Sequence, residues 1–439
     1  MSEILRGGRL FAEPARAVDI LIDGGRIQAV AAAGTLDGDT IIDLDGLLLM
    51  PGAIDTHVHP IHDETFASVG RAAVFGGVTT ICNQLYPAAG EGFAAAIDRM
   101  AAEGAGGAAD FAAHVRWDRT RDAAEVLEGA DAGAVSIKVF LAHPDKSIQA
   151  TLGELVTAMT AARDAGLVTL VHAELGDVVD ALLASGQAKR ETLAELNAWR
   201  STANEAAAVT AASVIARTVD APLYVVHASC DDTLVAAAAA RAAGTDVSIE
   251  SCPHYAFLNI DTALPGGQGF VLPPVRPASD QAAVRRALVN GLIDTMGSDH
   301  CGHGHESKRE SIADSKAGLP GLEAMIPLLI DAALGDNPWL PRHRVEELVC
   351  SGPARIFGLE GKGALLPGYD ADIVAIDPNG TTTLRADQLH DAAGYSPYDG
   401  WQLRGSVERV WRRGELVVNA GIAQQSTGGR LVRRAKGNI

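Results

Sequence analysis

The chain has 439 residues, 47% of them apolar and 21% charged, a globular composition that excludes wholesale disorder and suits one large domain or two to three ordinary ones. Lys and Arg number 36 against 55 Asp and Glu, and the resulting charge of −19 makes nucleic acid and anionic membranes poor partners. The five cysteines (Cys82, Cys230, Cys252, Cys301, Cys350) are odd in number and form no C-x-x-C, which points to a reducing compartment without a disulfide framework or zinc ribbon.

The first residues, MSEILRGGRLFAEPARAV, lack the apolar stretch of a signal peptide, and no later run approaches the roughly 18 apolar residues that cross a bilayer. A cytoplasmic protein is expected. Residues 1–52 read as short β runs broken by glycine turns, VDILIDGGRIQAV and TIIDLDGLLLMPG. From 53 to 357 the pattern changes, and strand-like apolar runs alternate with helical stretches. The strand candidates are 53–59, 78–84, 110–117, 134–142, 167–174, 223–229, 246–254 and 292–300, with helices such as 152–166 and 205–219 among them. Eight such units predict an α/β fold, a (β/α)8 TIM-like barrel; a doubly wound sheet is the alternative, but no G-x-G-x-x-G follows the first strand. Residues 358–439 return to the β style (GALLPGYDADIVAIDP, SVERVWRRGELVV), so both chain termini are expected to form one small β-sandwich domain.

A barrel presents functional side chains at the C-terminal ends of its strands. His57 and His59 close the first candidate strand, Lys138 lies on the fourth, and His172, His227 and Asp299 end the fifth, sixth and eighth. Spaced two apart on a strand, His57 and His59 project to one face. An H-x-H pair in isolation reads more readily as hydrogen-bonded core histidines; with the other residues placed equivalently it becomes a candidate metal set. Lys138 sits inside the apolar run AVSIKVFLA, where a bare ammonium faces a large desolvation cost. It either snorkels or pairs with a carboxylate, or CO2 neutralises it as a carbamate whose two oxygens can bridge two cations.

The ordered segments PGAIDTHVHP, SIKVF, TLVHAE, YVVHAS and GSDH resemble the amidohydrolase superfamily, specifically its cyclic-amide group of dihydropyrimidinase/hydantoinase, allantoinase and dihydroorotase. SCPHY, GLPG, SGPARIFGL, KGALLPGYDADIV and YSPYDGW extend the resemblance over essentially the whole chain. It implies a binuclear site, most often zinc: His57, His59 and Asp299 on one metal, His172 and His227 on the other, with carbamylated Lys138 and a hydroxide between them. Asp299 would take the hydroxide's proton and deliver it to the departing ring nitrogen. The implied activity is hydrolysis of a C–N bond in a small cyclic amide, by a homo-oligomer, a dimer or tetramer.

Three substrate contacts depart from the pattern. Where hydantoinase-like enzymes carry an oxyanion-donating tyrosine, this chain has His143, either a donor with a different reach or an exposed loop histidine. Two main-chain contacts map to Leu272 and Ala317, where similar enzymes usually have polar side chains. Dihydroorotases place an arginine two residues after H-x-H; here it is Ile61. Allantoinase remains open, although GLPGLE and YSPYDGW lean toward hydantoinases.

His300, His303 and His305, with Cys301, are expected to be solvated histidines of a Gly-rich loop. His254 is expected to support the barrel rim, and His62, His114, His343 and His390 have no partner pattern. Cys252 and Cys301 lack an obvious base. The rival from another class is a non-catalytic oligomeric scaffold, distinguished by lost ligands; all six positions are intact here.

Overall fold

The computed structural model describes residues 2–435 apart from 62, 263, 265, 309 and 310, so His62 lies outside the described residues. The N-terminal strands are β1 (Glu3–Leu10), β2 (Ala17–Asp23), β3 (Arg26–Ala32), β4 (Thr40–Asp43) and β5 (Leu48–Pro51). A parallel series follows: β6 (Ala53–His59), β7 (Val78–Leu85), β8 (Asp110–Arg116), β9 (Ala134–Phe140), β10 (Val168–His172), β11 (Leu223–Val225) and β12 (Val247–Ser251). The eighth run is split into β13 (Thr295–Met296) and β14 (His300–Cys301). β13 pairs with β12 and β14 with β6, His300 opposite Val58, which closes the ring into a barrel.

Every residue of β7 and β9 is buried, as continuous apolar runs covered on both faces require. The expected helices form at Leu152–Asp164 and Thr202–Val219. The first begins in a capping box, Thr151 with Glu154, and the second ends at Asp220 with φ +54°. Ile54, Cys82, Ala112, Leu170 and Tyr224 from the strands meet Phe357 in one apolar cluster, so the ring is packed rather than hollow.

The chain returns to the N-terminal strands through β15 (Ile373–Thr383), β16 (Gln402–Arg412), β17 (Glu415–Asn419) and β18 (Ile422–Ala423). These build one sheet in the order β18-β17-β16-β15-β5-β1-β2-β3, with β4 also on β1. The join is antiparallel, Val374 of β15 opposite Met50 of β5. Leu5, Ile20 and Leu49 from one terminus share a core with Ile373 and Trp411 from the other.

Barrel and terminal sheet meet over a buried ion cluster. Lys362, 3% exposed, donates to Asp110 of β8 at 2.7 Å and to Asp372 at 2.7 Å, and lies 3.1 Å from Asp370. Arg413 approaches Asp110 at 3.3 Å, and Arg430 pairs with Asp370. Removing one partner strands the others' charge away from water. Lys362→Met should therefore lower stability by about 3–5 kcal/mol in urea unfolding. A second contact works the other way: Glu346 accepts the Ala12 N–H at 3.0 Å, and burial, aided by Glu13, lifts its carboxyl from 4.5 to about 7. A raised acid pKa means stability is lost as pH climbs through that interval. Glu346→Gln should stabilise by about 1–3 kcal/mol at about pH 8, with the gain fading as pH falls toward the unfolded carboxyl value.

Candidate active site

The structure brings His57, His59, Lys138, His172, His227 and Asp299 to the floor of one cavity of about 750 Å3 at the C-terminal ends of the barrel strands. His57 and His59 do share a face, their ring centroids 5.0 Å apart. Asp299 Oδ1 lies 3.3 Å from His57 Nε2 and 3.1 Å from His59 Nε2. Across the floor, His172 Nδ1 and His227 Nε2 are 3.0 Å apart. Lys138 is 1% exposed, its Nζ 3.4 Å from His57 Nε2, and no carboxylate of the described residues pairs with it. It does not snorkel, and Asp299 and Glu250 act on it without forming an ion pair.

Two of these residues leave the strand ladder in left-handed conformations that L-residues rarely adopt, His227 at φ +44° and Asp299 at φ +49°. Polar contacts hold both turns: the His227 N–H donates to Glu250 Oε1 at 3.2 Å, and the Ser298 N–H to Asp55 Oδ1 at 2.9 Å. Between the halves of the eighth run stands Gly297, where a Cβ would come within 2.8 Å of His57 and Glu250 side-chain atoms. Only glycine lets that backbone pass.

Electrostatics follow from burial and mutual proximity. Burial lowers Lys138 to about 8 against the pull of Asp299 and Glu250, and lowers His59 to about 4 despite its hydrogen bond to Asp299. Burial also takes His227 well below the ordinary histidine range, with His172 adding to it. For Asp299 the upward push of burial is outweighed by His57, His59 and His227, which hold its carboxyl well below the usual range. Imidazole nitrogens gathered round a carboxylate are a metal-binding donor set. His57, His59 and Asp299 each offer an atom within 4.8 Å of the others, as do Cys252, His254 and Asp299. Asp110, Asp370 and Asp372 have the same spacing, but Lys362 already fills their midst.

His143, Leu272 and Ala317 all line the cavity. His143 Nδ1 lies 3.0 Å from the Asp145 backbone nitrogen and 3.3 Å from the Asp145 carbonyl oxygen, and burial lowers this imidazole to about 4. The Ala317 carbonyl accepts from His303 Nε2 at 2.9 Å. This corrects the expectation of solvated histidines at 300–305. His300 is wholly buried on Glu64 at 3.0 Å, which overrides burial and raises it to about 9; His303 is 5% exposed, and His305 is half-buried. The counter-charge in the segment after β6 was the unread signal. His254, on the short helix Pro253–Phe257 after β12, is buried, its Nε2 without a hydrogen-bond partner among the described residues. His114 is a core histidine, held by Ser136 and the Thr56 carbonyl.

Four residues escaped sequence reasoning. Tyr86 OH contacts His59 Nδ1 at 2.9 Å; Glu250 holds His57 Nδ1 at 2.7 Å; Glu174 holds His172 Nε2 at 2.9 Å and is itself held by Arg200. Glu250 gave the same signal as Lys138, a charge inside an apolar run (DVSIESCPH).

Among the described residues no helix is long and apolar enough to cross a membrane. The chain is 32% identical to a D-hydantoinase of Streptomyces coelicolor, with 94% of each chain covered. It is 33% identical to an allantoinase of Rubrobacter xylanophilus, covering 99% of this chain and 98% of that protein. The crystal structure of dihydropyrimidinase from Brevibacillus agri superposes with a TM-score of 0.90 at 29% identity, over 99% of both chains. Residues 48–417 match the amidohydrolase family, and the chain belongs to it.

Proposed function

We propose that this protein is a metal-dependent cyclic amidohydrolase that opens the C–N bond of a hydantoin- or dihydropyrimidine-like ring. The observation that carries the reading is the convergence of six donor side chains on the floor of one cavity. The residues fit a metal pair: His57, His59 and Asp299 would hold one ion and His172 and His227 the other. Lys138, buried and in no ion pair among the described residues, would carry a CO2-derived carbamate as a further ligand, and the nitrogen-rich set suits zinc. When bound, the ions would supply Lewis-acid polarisation of the amide carbonyl and an activated water.

The chain's own groups do the rest. Asp299 accepts the proton of the attacking water and passes it to the ring nitrogen as the C–N bond breaks, so one carboxylate serves as base and then acid. His143, on the cavity wall, donates a ring N–H to the developing oxyanion. Main-chain groups at Leu272 and Ala317 hold the ring's amide edge. Val179, Leu183, Leu196, Trp199 and Phe270 give the cavity an apolar wall, which favours a ring with an apolar substituent over polar allantoin. Ile61 lines the cavity where the resemblance places the carboxylate-binding arginine of dihydroorotases, which disfavours dihydroorotate; of the two arginines that line it elsewhere, Arg190 and Arg200, the second is committed to Glu174.

The domain division belongs to this proposal: a catalytic barrel over 53–357 and a terminal β-sandwich from 1–52 and 358–439. Its support is that the cavity-lining residues fall between His57 and Gly318. Cytoplasmic residence and a dimer or tetramer complete the reading; intact ligand positions set the scaffold alternative aside.

The test is ring opening by protein reconstituted with zinc and bicarbonate, on hydantoin, dihydrouracil, allantoin, dihydroorotate and glutarimide. Turnover of hydantoin or dihydrouracil, abolished by His57→Ala or Asp299→Ala, is expected; silence with no metal bound overturns the reading. His143→Ala should lower kcat by about 10²-fold, the cost of one oxyanion donor, while zinc content is unchanged.

A further inference from the structure

Two buried carboxylates outside the proposed ligand set each grip one ring nitrogen of a proposed ligand, and their own charges are met differently. Glu250 accepts from His57 Nδ1 at 2.7 Å, Thr56 Oγ1 at 2.6 Å, Tyr224 OH at 2.9 Å and the His227 N–H at 3.2 Å. Among the described residues no lysine or arginine forms an ion pair with it. Glu174 accepts from His172 Nε2 at 2.9 Å and from Arg200 at 2.5 Å, and that guanidinium is only 5% exposed.

The grips leave complementary faces free. With Nδ1 on Glu250, His57 turns Nε2 toward His59 and Asp299; with Nε2 on Glu174, His172 turns Nδ1 toward His227. A carboxylate behind a ligand imidazole fixes its tautomer and raises its basicity. A guanidinium bound to that carboxylate cancels most of the effect, because in a dry site opposite charges offset each other at short range.

We propose that Glu250 and Glu174 are positioning residues that make the two cation sites unequal. Glu250 lends an uncancelled negative charge to the His57–His59–Asp299 side, whereas Arg200 neutralises Glu174 on the His172–His227 side. The first side therefore fills first and holds its cation more tightly. Asp299 adds to the same asymmetry, since the proposed ligands on the other side, His172 and His227, include no carboxylate. Lys138 lies beside His57, and its conversion to a carbamate removes an ammonium that opposes this order. The inference rests on the ligand assignment proposed above.

The experiment is a zinc titration of the metal-free full-length protein in bicarbonate, with affinities from chelator competition and stoichiometry from elemental analysis. Two unequal steps are expected. Glu250→Gln should weaken the tighter step about 10–100-fold and leave the other nearly unchanged, as loss of an outer carboxylate does elsewhere. Glu174→Gln should weaken only the looser step, and by less. Arg200→Gln carries the opposite sign: freeing the charge of Glu174 should tighten the looser step several-fold, which loss of a merely structural contact would not do. Should Glu250→Gln fail to fold, Tyr224→Phe removes one neutral donor from Glu250 and should tighten the first step. Equal responses of both steps to the two Gln variants, or a looser step weakened by Arg200→Gln, overturn the asymmetry while leaving the ligands standing. An unaltered protein that binds no zinc overturns the ligand assignment and this inference with it.

Discussion

Closure of the parallel ring by a broken eighth strand is the constraint on which the rest of the structure depends. β13 pairs on one side and β14 on the other, and the residues between them, 297–299, must leave the ladder to let that happen. Gly297 permits the close pass beside His57, and the left-handed turn at Asp299 swings its carboxylate onto His57 and His59. A straight eighth strand would keep its hydrogen bonds and lose the convergence. Strain of this kind persists only where the surroundings over-determine it, and here Asp55 and Ser298 do so from the first and eighth strands.

Burial without neutralisation is the second theme. The floor concentrates imidazoles, a lysine and several carboxylates in a region with little water, so each group's state is set by its neighbours. Glu174 illustrates the outcome: burial alone would raise it, yet Arg200 and His172 take it down to about 2. Glu64 does the same for His300 on the flank of the site. These ion pairs contribute little net stability once desolvation is counted; what they contribute is a single orientation for each ring.

Much of this was legible in the sequence. The eight apolar runs marked the barrel strands because parallel strands buried on both faces must be continuously apolar. His57, His59, His172, His227, Lys138 and Asp299 stood out because each interrupts or ends such a run. The hidden parts have a common cause, which is that partnership across the barrel leaves no spacing signal. Glu250 and His57 are separated by 193 residues, and Glu64 and His300 by 236. The loop at 300–305 looked solvated because its glycines and histidines are locally polar, while its counter-charge, Glu64, comes from the segment after the neighbouring first strand, distant only in sequence. The split of the eighth strand left one signal, Gly297 in LIDTMGSDH, since a lone glycine inside a strand run marks a bulge or a close backbone approach.

The antiparallel join of β5 to β15 has a consequence for how the chain is made. Met50 waits for Val374, more than three hundred residues later, before its strand acquires that neighbour. At ordinary rates of synthesis the delay is on the order of tens of seconds, longer than a barrel of this size needs to begin collapsing. During that interval the N-terminal strands present an open edge beside a half-built barrel, and any nascent chain on a neighbouring ribosome presents the same one. A protein that sews its two ends into one sheet thus concentrates its hazard of mispairing at birth, in a region far from the chemistry that its mature fold supports.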